Sequence, residues 1–188
     1  MTRVELEEGI WTADGLLSSE ECEHLILEGE RLGFAFAPVT TNAGMVDRPD
    51  IRNNDRAMVD APELTEWLWK RFSPLVRADE IEGWTPVGLN ERLRWYRYTV
   101  GQRFKPHYDG AFVRSREERS FCSVLFYLDE GCEGGATRFL EPNGEVRLSF
   151  VPKRGSVLVF FHPTYHEGEE VRAGQKHVLR SDLMFRRE

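Results

Sequence analysis

From about Asn90 onward the chain consists of short runs rich in Trp, Tyr, Phe, Val and Leu, separated by clusters of Gly, Pro, Asn and Asp. This texture restricts the fold more than any other feature, because such runs pair as strands and their punctuation forms turns. The runs are RLRWYRYT, SFCSVLFYLD, ATRFLE, VRLSFV, SVLVFF and KHVLRSDLMF. Ahead of them the pattern is helical. Ser18 precedes Glu21 by three residues as in a capping box, and Cys22, Leu25, Ile26 and Leu32 recur at helical spacing up to Gly33. A second helix is predicted with Asp60 as cap, Pro62 in its first turn and Leu64, Trp67, Leu68 and Phe72 as its apolar stripe, ending before Pro74. Two helices leading into short strands predict a mainly β, α+β chain: a small barrel or jelly roll buttressed by helices on one side.

At 188 residues and 40% hydrophobic content the chain can bury one sizeable core, so a single domain over 1–188 is expected. Residues 1–75 would form a helical support region with the first strands, and about 90–188 the barrel. The formal net charge of -7 argues against a nucleic-acid backbone as the main partner. Three cysteines, Cys22, Cys122 and Cys132, without CxxC spacing suit a reducing compartment, so cytoplasmic location is expected. MTRVELEEG carries acid where a secretory signal would need an apolar run, so no signal is expected, and no run approaches a membrane span. The stretch from Thr40 to Asp50 is rich in turn formers and is expected to be a mobile loop.

In KPHYDG, His107 and Asp109 are two apart, so on an extended segment both side chains leave one face. An imidazole and a carboxylate are two members of a two-His, one-carboxylate set, which suits iron(II) and leaves open positions for a chelating co-substrate and oxygen. The third ligand must come from elsewhere. His24 lies on the first predicted helix and His177 points away from Lys176 on its strand, which leaves His162 and His166. His166 is favoured, because ten positions on comes Lys176, a cation able to neutralise a bound dicarboxylate. Arg180, four residues further on the same face, is the competing anchor, since a guanidinium grips a carboxylate with two parallel bonds.

The ordered segments RYTVGQRFKPHYDG, LFYLDEGCEGGATRF, KRGSVLVFFHPTYHEG and VRAGQKHVLRSDLMF resemble the prolyl 4-hydroxylase-like branch of the 2-oxoglutarate and iron(II)-dependent dioxygenases, over about residues 93 to 185. The resemblance implies a double-stranded β-helix, a distorted jelly roll with the metal at its open end. It implies that His107, Asp109 and His166 hold iron(II), that Lys176 pairs with the far carboxylate of 2-oxoglutarate, that Tyr98 donates its hydroxyl to the same molecule, and that Thr137 lies in the nearby wall. It further implies hydroxylation of an unactivated C–H bond with O2, coupled to decarboxylation of 2-oxoglutarate to succinate and CO2, and ascorbate as a reductant.

Upstream, IRNNDR sets Arg52, Asn54 and Arg56 at alternate positions, a polar ladder on one face of an expected strand. In the resembled family a comparable strand carries an Arg and a small polar residue that touch substrate. Here an amide stands where a hydroxyl residue is usual, so prolyl recognition does not follow. The substrate is expected to be a prolyl or other residue in a protein, or a free amino acid or small metabolite, whose carboxylate Arg52 or Arg56 would hold. Three rivals differ: a non-catalytic ligand-binding barrel would bind 2-oxoglutarate without turnover, a cupin-type metalloenzyme would leave Lys176 idle, and a nucleic-acid demethylase is disfavoured by the acidic charge. Oligomeric state is not legible.

Overall fold

The computed structural model describes residues 1–41, 44–79 and 81–187 and is organised around one large antiparallel sheet. Its strands lie in the order Val4–Glu7, Ile10–Ala13, Val157–Phe161, Glu118–Tyr127, Lys176–Arg187, Arg92–Tyr98, Asp55–Asp60 and Ala35–Phe36. The 12-residue strand Lys176–Arg187 is its axis: its first half pairs with Arg92–Tyr98 and its second half with Trp84–Leu89. A second sheet of four strands runs Val146–Phe150, Thr137–Leu140, His166–Gly168 and Phe104–His107. The expected double-stranded β-helix is borne out, as a pair of sheets that do not close.

Period-two alternation on the central strands gives the large sheet two different faces. Leu93, Trp95, Leu179, Leu183 and Phe185 belong to a core shared with the helices, whereas Tyr96, Tyr98 and Val178 belong to a second core with Phe139 and Phe160. Polar positions that alternate with the first core therefore open towards the second sheet, which is where the site forms.

The helices cover the far face. α1 spans Ser19–Leu32 with the expected capping box, Ser18 Oγ accepting from Glu21 N at 3.2 Å and Glu21 Oε2 from Ser18 N at 2.8 Å. Trp95 Nε1 donates to the Leu25 carbonyl at 2.9 Å, tying α1 to the sheet. α2 spans Pro62–Phe72, but its cap corrects the expectation: Ala61 stands at the N-cap, and the Asp60 carboxylate is taken by Arg92 across the neighbouring strand at 2.8 and 3.1 Å. A bidentate ion pair holds Asp60 in the ladder where a capping bond would have bent it out.

Two other expectations change. The ladder IRNNDR is not one strand: the strand begins at Asp55, and Arg52 makes only an isolated bridge to Phe104. Of the stretch expected as a loop, Asn42 and Ala43 lie outside the described residues, while Val39–Thr41 and Gly44–Val46 pair as short strands. No helix of the described residues is long and apolar enough to cross a membrane.

Phe72 is fully buried, stacked on Trp11 at 5.5 Å and edge-on to Phe126 at 6.2 Å. Phe72→Ala should therefore lower the unfolding free energy by about 3–5 kcal/mol, the usual range for an emptied aromatic site, as read from denaturant midpoints. A loss below about 1 kcal/mol would show that α2 does not anchor the sheet.

Candidate metal centre

Two histidines meet because their strands pair in register. His166 opens the strand His166–Gly168 and stands directly opposite His107, the last residue of Phe104–His107. Each ring is held from behind: His107 Nδ1 lies 2.8 Å from the Lys105 carbonyl, and His166 Nδ1 2.8 Å from the Thr164 carbonyl. A carbonyl only accepts, so both Nδ1 atoms carry a proton, and in the neutral ring Nε2 is then the nitrogen with the lone pair, the tautomer a metal ligand needs. His107 also stacks on Phe104 at 3.5 Å, and His166 packs on Phe160 at 4.5 Å.

Asp109 closes the group just past the strand end, its N–H donating to the His162 carbonyl at 3.2 Å. Its Oδ1 lies 3.6 Å from His107 Nε2 and its Oδ2 3.6 Å from His166 Nε2. All three ligand atoms lie within 4.8 Å of one another. Burial opposes charge on Asp109, but Arg180, with Nη1 3.0 Å from Oδ1, and the two imidazoles outweigh it and hold the carboxyl well below its usual range. Burial pushes His166 down to about 4 against the pull of Asp109, so it is neutral at pH 7. Two imidazoles with one carboxylate are a donor set that fits iron(II).

His162, the competing histidine, is outside this group. Both of its ring nitrogens are engaged by hydroxyls, Nε2 with Ser120 Oγ at 2.8 Å and Nδ1 with Ser123 Oγ at 3.2 Å. Ser123 in turn donates to Asp109 Oδ2 at 2.6 Å, so His162 braces the carboxylate from behind. Nothing in the spacing pointed to Ser123.

A cavity beside the three residues is lined by Tyr96, Tyr98, Thr137, Lys176 and Arg180, so the expected co-substrate residues come together there. Lys176 faces Tyr98 in register, is 3% exposed, and donates to the Gly135 carbonyl at 2.6 Å with the rings of Tyr98 and Tyr127 at 5.1 and 5.6 Å. No carboxylate pairs with it among the described residues, and burial brings its ammonium down to about 8. Arg180 by contrast is already committed to Asp109 and, at 3.4 Å, to Asp182. Burial raises Tyr98 to about 12, so its hydroxyl remains a donor at neutral pH. Thr137 Oγ1 is bonded to Tyr127 Oη at 2.7 Å, in the wall. Gly135, with φ of +70°, is required here: a Cβ would lie 3.0 Å from Cys132 Sγ and 3.4 Å from Lys176 Cδ.

The upstream residues divide. Arg52 and Arg56 line an adjoining outer cavity, while Asn54 is fully buried, absent from its lining, and accepts from Arg52 Nε at 2.7 Å. Asn54 thus positions Arg52. Sequence reasoning missed Tyr96, which lines both cavities and is hydrogen-bonded to Arg52 and Arg180. It stands two residues before Tyr98 on the same face, so the alternation could have found it.

His107→Ala and His166→Ala should each weaken iron(II) binding by about a hundredfold or more, with the circular dichroism spectrum retained, because second-rank partners alone shift affinity 10–100-fold. Asp109→Ala should lose the metal and also unfold at lower denaturant than either, since it strips Arg180 of its nearest carboxylate. Wild-type iron affinity in any of the three would remove that residue from the set.

The profile of the 2OG-Fe(II) oxygenase superfamily matches residues 93–181. The probable prolyl 4-hydroxylase 11 of Arabidopsis thaliana is 27% identical over 173 residues, covering 88% of this chain and 58% of that protein. The chain thus spans a little over half the length of such curated relatives. Among solved structures, a prolyl-4-hydroxylase of Pseudomonas putida superposes with a TM-score of 0.67 at 20% identity, covering 96% of this chain and 94% of that one. A prolyl hydroxylase of Trichoplax adhaerens, solved with a hypoxia inducible factor oxygen degradation domain peptide fragment, gives 0.69 at 18% identity, covering 94% and 83%.

Proposed function

We propose, from the premise that this chain belongs to the 2OG-Fe(II) oxygenase superfamily as a prolyl 4-hydroxylase-like member, that it is a 2-oxoglutarate-dependent dioxygenase hydroxylating an unactivated C–H bond. His107, Asp109 and His166 are its iron ligands, Lys176 and Tyr98 its 2-oxoglutarate anchors. Iron(II) bound there would supply the oxidising chemistry, 2-oxoglutarate and O2 giving succinate and CO2, with one oxygen atom ending in succinate and the other in the product hydroxyl.

The observation that carries this reading is Lys176: a buried ammonium with one carbonyl partner, in the cavity the three ligands border. Leaving such a charge uncompensated is costly, and the far carboxylate of 2-oxoglutarate would satisfy it. Tyr98 offers a hydroxyl to the same group, and Thr137 fixes the wall. Arg180 has its carboxylates already and serves Asp109. The prolyl hydroxylase relatives support a prolyl or proline-like substrate, peptide-borne or free. Cys22, Cys122 and Cys132, none of which forms a disulfide, suit a reducing, cytoplasmic setting, and residues 1–75 act as support for the 90–188 core in one domain.

Lys176→Ala should raise the 2-oxoglutarate dissociation constant about a hundredfold, matching the ~2–3 kcal/mol of a charged hydrogen bond, with iron affinity unchanged. Arg180→Ala should show the opposite split, losing iron before 2-oxoglutarate. The reverse ranking would exchange their roles, and a silent Lys176→Ala would favour a metalloenzyme that does not use 2-oxoglutarate.

Lys176 also sets a pH dependence. Its free ammonium titrates at about 8, and a bound dicarboxylate raises that value. Binding therefore takes up a proton above pH 8, so 2-oxoglutarate affinity should be level below about 8 and fall roughly tenfold per pH unit above it. Calorimetry across pH 7–10 checks this, and an affinity that stays level throughout would contradict the assignment.

A further inference from the structure

The outer cavity, of about 550 Å³, shares His107, Asp109 and Arg180 with the inner one. That volume suits a small molecule. Its wall is cationic in a chain whose formal net charge is -7: Arg52, Arg56, Arg94 and Arg180 line it, against Asp109 as the single carboxylate among the described lining residues. Arg180 is paired with Asp109, and Arg94 with Asp182 at 3.1 Å. No carboxylate lies within ion-pair distance of Arg52 or Arg56 among the described residues.

Arg52 is built to present its charge. It is 5% exposed, its Cζ lies over the rings of Tyr96 and Phe104 at 4.6 Å from each centroid, and it is fixed through Nε by Asn54. Its Nη2 is buried without a partner. A planar guanidinium packed on two rings suits the two parallel bonds of a carboxylate. The surrounding field agrees. Burial opposes ionisation of Tyr96, yet Arg180, Arg52 and Arg94 outweigh it and bring the phenol down to about 8, while burial and the neighbouring guanidiniums lower Arg56.

We propose that Arg52 and Arg56 bind the carboxylate of the substrate, so that the molecule hydroxylated is a small carboxylic acid, such as a free or N-acylated amino acid, and not an internal residue of a neutral peptide. This rests on the iron and 2-oxoglutarate reading above. The four arginines give the reason: a neutral peptide would leave two cations without a counter-charge beside the metal, whereas an acid neutralises one and orders the other.

The test measures binding without turnover, by calorimetry under nitrogen on protein loaded with manganese(II) and 2-oxoglutarate. The probes are the free L-amino acids and their N-acetyl derivatives, each beside its carboxamide, and a prolyl tripeptide with free or amidated C-terminus. The expected result is at least one acid bound tenfold or more tighter than its amide, with Arg56→Gln removing that preference while 2-oxoglutarate affinity stays unchanged. Arg52→Gln should act likewise, and Arg56, half-buried, carries the test if Arg52→Gln does not fold. A preference confined to the free C-terminal tripeptide would overturn the small acid in favour of a chain end. Equal binding of acids and amides, binding of the neutral peptide alone, no binding of any probe, or an Arg56→Gln effect falling on 2-oxoglutarate would each overturn it. Failure of 2-oxoglutarate itself to bind would mark instead the failure of the functional reading.

Discussion

The pairing of His166 with His107 across two short strands is the constraint on which the rest of the site depends. Because side chains alternate along a strand, a slip of one residue would turn either imidazole to the opposite face, and the ligand set would not exist. The backbone adds a second lock. Carbonyls at Lys105 and Thr164, each two residues before its histidine, take the Nδ1 protons and aim both Nε2 atoms at Asp109. The geometry is thus a property of local backbone, with Ser123, His162 and Arg180 bracing the carboxylate.

The large sheet divides the labour. One face packs Leu93, Trp95, Leu179 and Phe185 against the helices, and the other presents Arg94, Tyr96, Tyr98, Lys176 and Arg180 to the cavities. Arg94, Lys176 and Arg180 lie on strands of the large sheet, whose far face packs on the helices. Within the site the cations differ: Arg180 and Arg94 are neutralised by Asp109 and Asp182, whereas Lys176, Arg52 and Arg56 have no carboxylate within ion-pair distance among the described residues.

Much of this was legible in the sequence, for reasons that can be named. The six apolar runs became strands because alternation and β-branched content act locally, and Ser18 capped α1 as its spacing to Glu21 required. HxD, a histidine and a lysine ten further on mark positions that an extended backbone can bring to one point. What could not be read depended on distant partners. Phe104–His107 and His166–Gly168 are four and three residues long and contain Pro or Gly, so only the pairing identifies them. Val4–Glu7 is acidic, and it is tolerated as a strand because it forms the sheet's edge. Asp60 was lost as a cap to Arg92, 32 residues away. Asn54 turned inward because Arg52 needed an acceptor.

The most direct test of the account is an anaerobic titration of the iron(II)-loaded protein with 2-oxoglutarate. The account predicts the weak visible absorption of a 2-oxo acid chelated to iron(II), saturating at one equivalent in the wild type and abolished in His107→Ala, followed by succinate when air is admitted. Iron bound with full occupancy but no absorption and no succinate would contradict it.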